Sequence, residues 1–400
     1  MVDIRTLESE ADLIAAAKVF RTAMVGLQVS PPYRPGQIRD VREPGRTLAA
    51  FADGAVVGSV DGFTSDMTVP GGARLPHVAV TRVGVLPTHT RRGIVSGLLT
   101  HQLRDARERG EVFASLRASE AVIYGRFGYA VANLSHTVEV VTARARMRDS
   151  VMDGGPVRMV STDESYDVLP GVYDNAVSAR PGSIGRPSTW WAGQKFGSQL
   201  GTDPSYVAVQ GDSGFVRYHG IGADTWFTGD NRTAIVDDFW APTTEAYVGL
   251  IRFLFSLDLV TRFVFAAMPI DDPLPQLLID QRAVRVTKSR DETWLRILDV
   301  SRALSSRTYR GAGAVTVSIT DPVLQENSGT FRVSAEGAEA VTSEPDLTID
   351  VTSLAAVYLG GTAWHQLAAA GAVQFSDYSA IERADALFSS HLAPHCGTDF

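Results

Sequence analysis

Residues 81–99 read Thr-Arg-Val-Gly-Val-Leu-Pro-Thr-His-Thr-Arg-Arg-Gly-Ile-Val-Ser-Gly-Leu-Leu, and no other run constrains the chain as much. The apolar strand predicted at residues 77–86 must stop at Pro87, which has no N–H for a ladder and a fixed φ. A short polar loop follows, then an amphipathic helix predicted over residues 91–109 and closed by Gly110. The first amides of such a helix have no intrahelical partner, and the helix dipole favours an anion beside them. Arg91 and Arg92 add full positive charge there, and Gly93 lets phosphate oxygens approach the backbone without meeting a Cβ. The preceding strand carries backbone groups around Val83, Gly84 and Val85 that can pair with an extended, amide-bearing arm. A pyrophosphate joined to a peptide-like tail is what coenzyme A presents. An Arg-Arg pair on an ordinary surface helix is the competing reading, and the strand-Pro-loop-helix setting favours the cofactor.

The chain has room for more than one such unit. Four hundred residues exceed one ordinary domain, and 44% hydrophobic with 20% charged residues excludes a mostly disordered protein. A helix is predicted at 8–20, then a Pro- and Gly-rich loop at 30–36 and strands at 47–51 and 55–63 joined by Asp53-Gly54. After the strand and helix already described come a strand at 112–116, a short helix at 120–127 and a strand pair within 129–141. The pattern restarts beyond an Arg-rich connector at 144–148: a strand at 158–161, helices at 165–177 and 188–196, and strands at 206–209, 214–219 and 233–240. A helix at 243–256 and a strand at 261–267 complete that unit. The last hundred residues give strands at 314–319, 329–333 and 347–351, then helices at 353–359, 362–370 and 377–389. Boundaries near 145 and 295 divide the chain into units 1–145, 146–294 and 295–400.

A net charge of -8 argues against a general nucleic-acid binder and is compatible with a cationic substrate. Cys396, the one cysteine, excludes an intrachain disulfide and a Cys-cluster metal site. His89 and His101 have no His partner at helical spacing, so no metal is expected. Asp3, Arg5, Glu8 and Glu10 interrupt any secretory signal, and Arg252, Asp258 and Arg262 interrupt the most apolar stretch, 247–270. The expectation is a soluble, cytoplasmic protein without a membrane span.

A second informative run is Arg117-Ala-Ser119-Glu120-Ala-Val-Ile-Tyr124-Gly-Arg-Phe-Gly-Tyr129, a short helix after a strand, ending at Gly128. If the thioester of such a cofactor passes its acyl group to an amine, the reaction needs a base for the ammonium proton and an acid for the departing thiolate. The phenol of Tyr124, with an ordinary pKa of about 10, stays protonated at neutral pH and suits the second task. A core aromatic is an equal alternative for Tyr124.

The loop at 90–95 resembles the pyrophosphate loop of the GNAT acetyltransferases, Gln/Arg-x-x-Gly-x-Gly/Ala. Gly93 matches the first Gly, while Thr90 and Val95 depart from the pattern. With the run at 118–129, Asp271-Asp-Pro-Leu-Pro275, Trp294-Leu-Arg-Ile297, residues 354–360 and the final Asp399-Phe400, nearly the whole chain is similar to the enhanced intracellular survival (Eis) family. That resemblance implies a mixed α+β chain of two tandem GNAT-like domains, the second degenerate, followed by a sterol-carrier-protein-like domain. It implies a homo-hexamer that moves acetyl groups from acetyl-CoA to amines of aminoglycosides and needs no metal. Carried over by position, Tyr124 would be the general acid and the carboxylate of Phe400, threaded back into the site, the general base. Val83, Gly84, Val85, Arg91, Arg92, Gly93, Ile94, Val95, Ser96, Ser119 and Glu120 would contact acetyl-CoA. The resemblance leaves room for a lysine side chain or another amine as acceptor, or for a silent protein that binds an apolar ligand.

The strand-loop-helix at 236–245 echoes the first one but lacks Arg-Arg-Gly, and Asp237, Asp238 and Glu245 would repel a pyrophosphate. That module is not expected to bind coenzyme A. Two departures bear on the amine: Ala23 falls where an acid would be hoped for, and Arg117 stands where some relatives carry a His. A fixed cation at 117 would repel an ammonium.

Overall fold

Burial along one strand settles the layering. Within Leu48–Ala52, Ala49 and Phe51 pack with Leu13, Ala16 and Ala17, whereas Leu48 and Ala50 pack with Leu98, Leu99 and Leu103. Successive strand side chains point to opposite faces, so one helix covers each face of this sheet. The computed structural model describes residues 2–27, 32–175, 179–199, 204–221 and 232–400. Ser30 and Pro31 of the expected loop, and Val177 at the end of an expected helix, lie outside the described residues.

The first unit runs β1 (Asp3–Thr6), α1 (Glu10–Ala23), α2 (Gln37–Asp40), β2 (Leu48–Ala52), β3 (Ala55–Thr68), β4 (Arg74–Val85), α3 (Ile94–Glu108), β5 (Phe113–Leu116), α4 (Ala121–Tyr124), β6 (Ala130–Val131) and β7 (Leu134–Val141). Ser9 caps α1 by accepting from the Asp12 amide at 3.0 Å. The helix expected from residue 91 begins at Ile94 instead. Arg91 and Gly93 have φ of +61° and +78°, a left-handed conformation that no α-helix contains.

The second unit contains β8 (Val157–Val160), α5 (Thr162–Asn175), α6 (Ser188–Ser198), β9 (Ser205–Gln210), β10 (Gly214–Ile221), β11 (Thr233–Trp240), α7 (Thr244–Phe255), β12 (Arg262–Pro269), α8 (Leu274–Leu277), β13 (Val284–Asp291) and β14 (Trp294–Ile297). Its sheet has the order β13-β7-β12-β11-β10-β9-β8, and the first sheet has the order β1-β2-β3-β4-β5-β14-β6. Two strands therefore change places. The strand pair expected within 129–141 divides, with β6 staying in the first sheet and β7 pairing with β12 and β13 of the second. In return β14 enters the first sheet between β5 and β6, Trp294 opposite both Leu116 and Val131. Linear boundaries near 145 and 295 are crossed by these pairings.

The third unit has α9 (Val300–Ser306), β15 (Ala314–Thr320), β16 (Gly329–Ser334), β17 (Gly337–Val341), β18 (Leu347–Asp350), α10 (Val351–Tyr358), α11 (Trp364–Ala369), β19 (Gln374–Phe375) and α12 (Tyr378–Phe388). Its sheet has the order β17-β16-β15-β18-β19. Leu354, Tyr358, Trp364, Leu387 and Phe388 fill its interior. The Arg296 and Asp321 side chains, both fully buried, tie β14 to this unit at 2.6 Å. Among the described residues no helix is long and apolar enough to cross a membrane.

Candidate active site

The edge expected to take the cofactor is built by two parallel strands that part company. β4 pairs with β5 only through His77, Val78 and Ala79. On the other edge β4 stays paired with β3, Ser59 opposite Gly84 and Gly58 opposite Val85. Among the described residues, the stretch Val83–Val85 thus has a strand neighbour on one side only. An extra residue in β4 shifts the register between Ser59 and Asp61, and Arg82 there has φ +52°. Such a bulge re-aims the backbone where an extended arm can join the sheet.

Beyond Val85 the chain turns through Pro87, and Arg92 donates to the Thr88 carbonyl at 3.1 Å. Arg91, Arg92 and Gly93 are exposed, Val95 and Ser96 half-buried, and Ile94 buried at the helix start. An added Cβ at Gly93 would meet nothing within 4 Å, so its positive φ is what requires glycine, and the space beside it is open. An unpaired strand edge beside an amide-bearing helix start with two exposed guanidiniums fits the amide arm and pyrophosphate of acetyl-CoA. Ser119 and Glu120 are exposed just before α4, across the splay on the strand β5 side.

Tyr124 ends α4 and is 5% exposed. It belongs to the apolar cluster that contains Val85 and Ile94, with Tyr129 and Trp294 at ring-centroid distances of 6.1 and 6.4 Å. Burial raises its pKa above the ordinary phenol value.

Next to the Val83–Val85 edge lies a cavity of about 390 Å³ between the first and second units. Thr81 and Arg82 of β4 line it, so one strand passes from the cavity wall directly into the Val83–Val85 edge. Asp61, Phe63, Trp190 and Gln194 line it too, with Asp399 and Phe400 from the end of the chain. Asp61 is buried and stays charged: desolvation opposes ionisation, but Arg42, Arg82 at 2.9 Å and the Thr47 hydroxyl at 2.8 Å outweigh it. Asp399 keeps its carboxylate 92% exposed.

The last residues are held atom by atom. Glu292, wholly buried, accepts from the amides of Cys396 at 2.9 Å and Gly397 at 3.1 Å. Burial works against its charge, yet His395 at 3.1 Å, Arg117 at 3.3 Å and the Cys396 amide hold it far below the usual carboxylate range. Arg117 donates to the Thr398 carbonyl at 2.6 Å, and Trp190 Nε1 to the Asp399 carbonyl at 2.8 Å. Arg186 donates to Thr398 Oγ1 at 3.0 Å and the Gly397 carbonyl at 3.2 Å. The Phe400 ring meets Phe63 edge-on at 5.8 Å.

Arg117 is ion-paired with Glu292 and with Asp399 at 3.4 Å, donates to the Thr398 carbonyl and lies 5.8 Å from the centre of the Phe400 ring. Reading the sequence did not single out Asp61, Arg82, Trp190 or Arg186. The available signals were Asp61 among the mostly apolar residues 55–63 and the Trp190-Trp191 pair. Ala23 lies against Gly84, where α1 crosses β4, and does not line the cavity. Among the described residues no group of His, Cys, Asp and Glu is arranged to hold a metal ion.

Residues 3–132 and 182–297 each match the acetyltransferase (GNAT) domain family, and residues 300–397 match the sterol carrier protein domain family. Fold and matches together define a tandem GNAT acetyltransferase whose third domain is sterol-carrier-like. The N-acetyltransferase Eis of Mycobacterium tuberculosis is 31% identical over 346 residues, 84% of this chain and 83% of that one. An uncharacterised N-acetyltransferase of Streptomyces avermitilis is 34% identical over 99% of this chain and 98% of its own. The crystal structure of Eis1 from Mycobacterium abscessus superposes with a TM-score of 0.92 at 43% identity, covering 100% of both chains. The chain belongs to the Eis family of N-acetyltransferases.

Proposed function

We propose that this protein acetylates primary amines of polyamine-bearing small molecules, aminoglycosides foremost, with Tyr124 as general acid and the Phe400 carboxylate as general base. Acetyl-CoA, when bound, supplies the acetyl thioester. The edge Val83–Val85 aligns its amide arm, and Arg91, Arg92 and the amides of Ile94, Val95 and Ser96 hold its pyrophosphate. The observation that carries this reading is the placement of Phe400 in the cavity walled by Thr81 and Arg82, immediately before that edge. There a carboxylate can accept a proton from the incoming ammonium, leaving a neutral amine to attack. Tyr124, buried and so firmly protonated, donates to the leaving sulfur.

Thiol release from acetyl-CoA, measured with kanamycin, with a lysine-containing peptide and with no amine, tests the reading. Release that depends on kanamycin is expected. Release with the peptide alone would reassign the acceptor to a lysine side chain, and no release with any amine would leave a silent ligand-binding protein. Assembly as a homo-hexamer, which the family resemblance implies, is read by light scattering of the same sample.

A further inference from the structure

The second GNAT domain has the same parting of parallel strands as the first. β11 pairs with β12 only from Thr233 to Val236, and the next residues are Asp237 and Asp238. In the first domain the corresponding stretch offers backbone to a cofactor arm. In the second, Asp238 turns a carboxylate toward Arg186, which answers with two parallel bonds of 2.7 and 3.0 Å.

Arg186 is 1% exposed in its side chain and lies over Tyr173 at 4.3 Å and Trp190 at 4.5 Å. A buried guanidinium needs both a counter-ion and partners for its other donors. Asp238 is the counter-ion. Two further donors go to the tail: Nε to Thr398 Oγ1 at 3.0 Å and Nη2 to the Gly397 carbonyl at 3.2 Å. Thr398 is fully buried. The planar fork of an arginine is what lets one side chain hold Asp238 and two consecutive tail residues together.

We propose that the second GNAT domain serves as the clamp for the chain's end, with Asp238 fixing Arg186 and Arg186 positioning the Phe400 carboxylate through Gly397 and Thr398. The proposal rests on the terminal carboxylate acting as base. Arg186 and Asp238 are positioning residues, acting only through the tail.

The test uses the full chain with Arg186→Lys, which keeps the charge for Asp238 and loses the fork, and Thr398→Val, which removes the acceptor hydroxyl alone. Release of Phe400 by carboxypeptidase A is timed, and kcat is measured with and without Phe400 deleted. Arg186→Lys should release Phe400 about 10-fold faster and lower kcat about 10-fold, with acetyl-CoA affinity unchanged. Thr398→Val should move both readouts in the same direction by less. In the Phe400-deleted background Arg186→Lys should cost nothing further, because the group it positions is gone. Release at the wild-type rate in both variants overturns the clamp. An equal loss of kcat in both backgrounds, or faster release at wild-type kcat, overturns the positioning role. Full activity after deleting Phe400 overturns the terminal base and the clamp's catalytic role, while the release assay still reads the clamp itself.

Discussion

Trp190 holds Asp399: the indole Nε1 of a helix in the second GNAT domain donates at 2.8 Å to the backbone carbonyl one residue before Phe400. That bond, with those of Arg117 and Arg186, fixes the backbone on which the terminal carboxylate rides.

A few residues appended after Phe400, or deletion of Phe400, should therefore lower kcat by about 10²-fold or more, the usual worth of a positioned base. Acetyl-CoA affinity by calorimetry should not change, since the cofactor edge is on β4. Tagged protein that turns over at the untagged rate would refute the terminal base.

Arg92→Glu with Gly93→Asp should abolish acetyl-CoA binding in calorimetry. The substitutions reverse charge at the helix start and place a Cβ on a residue at φ +78°, which itself costs about 1–2 kcal/mol. The fold should survive, because Arg91, Arg92 and Gly93 are all exposed.

Tyr124→Phe keeps the contacts with Tyr129 and Trp294 and removes only the hydroxyl. The expected fall in kcat is about 10²-fold with a smaller change in KM. An acid works in its protonated form, and burial raises the pKa of this one, so the wild-type rate should not decline on its account until pH exceeds about 10. A descending limb near neutral pH would assign the proton to another group.

His77 is fully buried between β4 and β5, one ring nitrogen 2.7 Å from Ser115 Oγ, and burial lowers its pKa from 6.5 to about 3. The folded value lies below the unfolded one, so its contribution to stability is complete above pH 6.5 and is lost as pH falls toward 3. Stability should fall with pH across that window on account of this residue. Urea unfolding of His77→Gln should show a shallower acid slope than the wild type.

Arg296→Met leaves the Asp321 carboxylate buried without its partner and should cost about 3–5 kcal/mol in urea unfolding. The tie between β14 and the third domain would loosen with it.

Local punctuation made the strand-loop-helix junction readable. Pro87 stops β4 and Gly93 opens α3, and neither signal needs a distant partner. The helix start was displaced because Arg91 and Arg92 favour helices intrinsically, while the left-handed turn at Arg91 and Gly93 overrides that preference. The cavity between the first and second units was far less legible. Asp61 gains its meaning from Arg42 and Arg82, about twenty residues away on either side, and Arg186 meets Thr398 across 212 residues. β13 was missed because its residues are nearly all exposed and carry no burial alternation. The crossing of β7 and β14 leaves no mark on either strand, since the alternating residues of β7 and the four residues of β14 fit one sheet as well as the other.

The exchange of those strands sets an order of events for a chain emerging from the ribosome. When synthesis has passed residue 145, β5 has an open edge and β7 has found no partner. Closure of the first sheet waits until residue 297 is free to reach back, and the same stretch of synthesis delivers β12 and β13 to β7. Pairings so distant in sequence form slowly, and an exposed edge invites pairing with a neighbour on the same message. The two GNAT domains are thus born together: an expression product cut between them carries one sheet with a gap and another without the strand that joins β13 to β12.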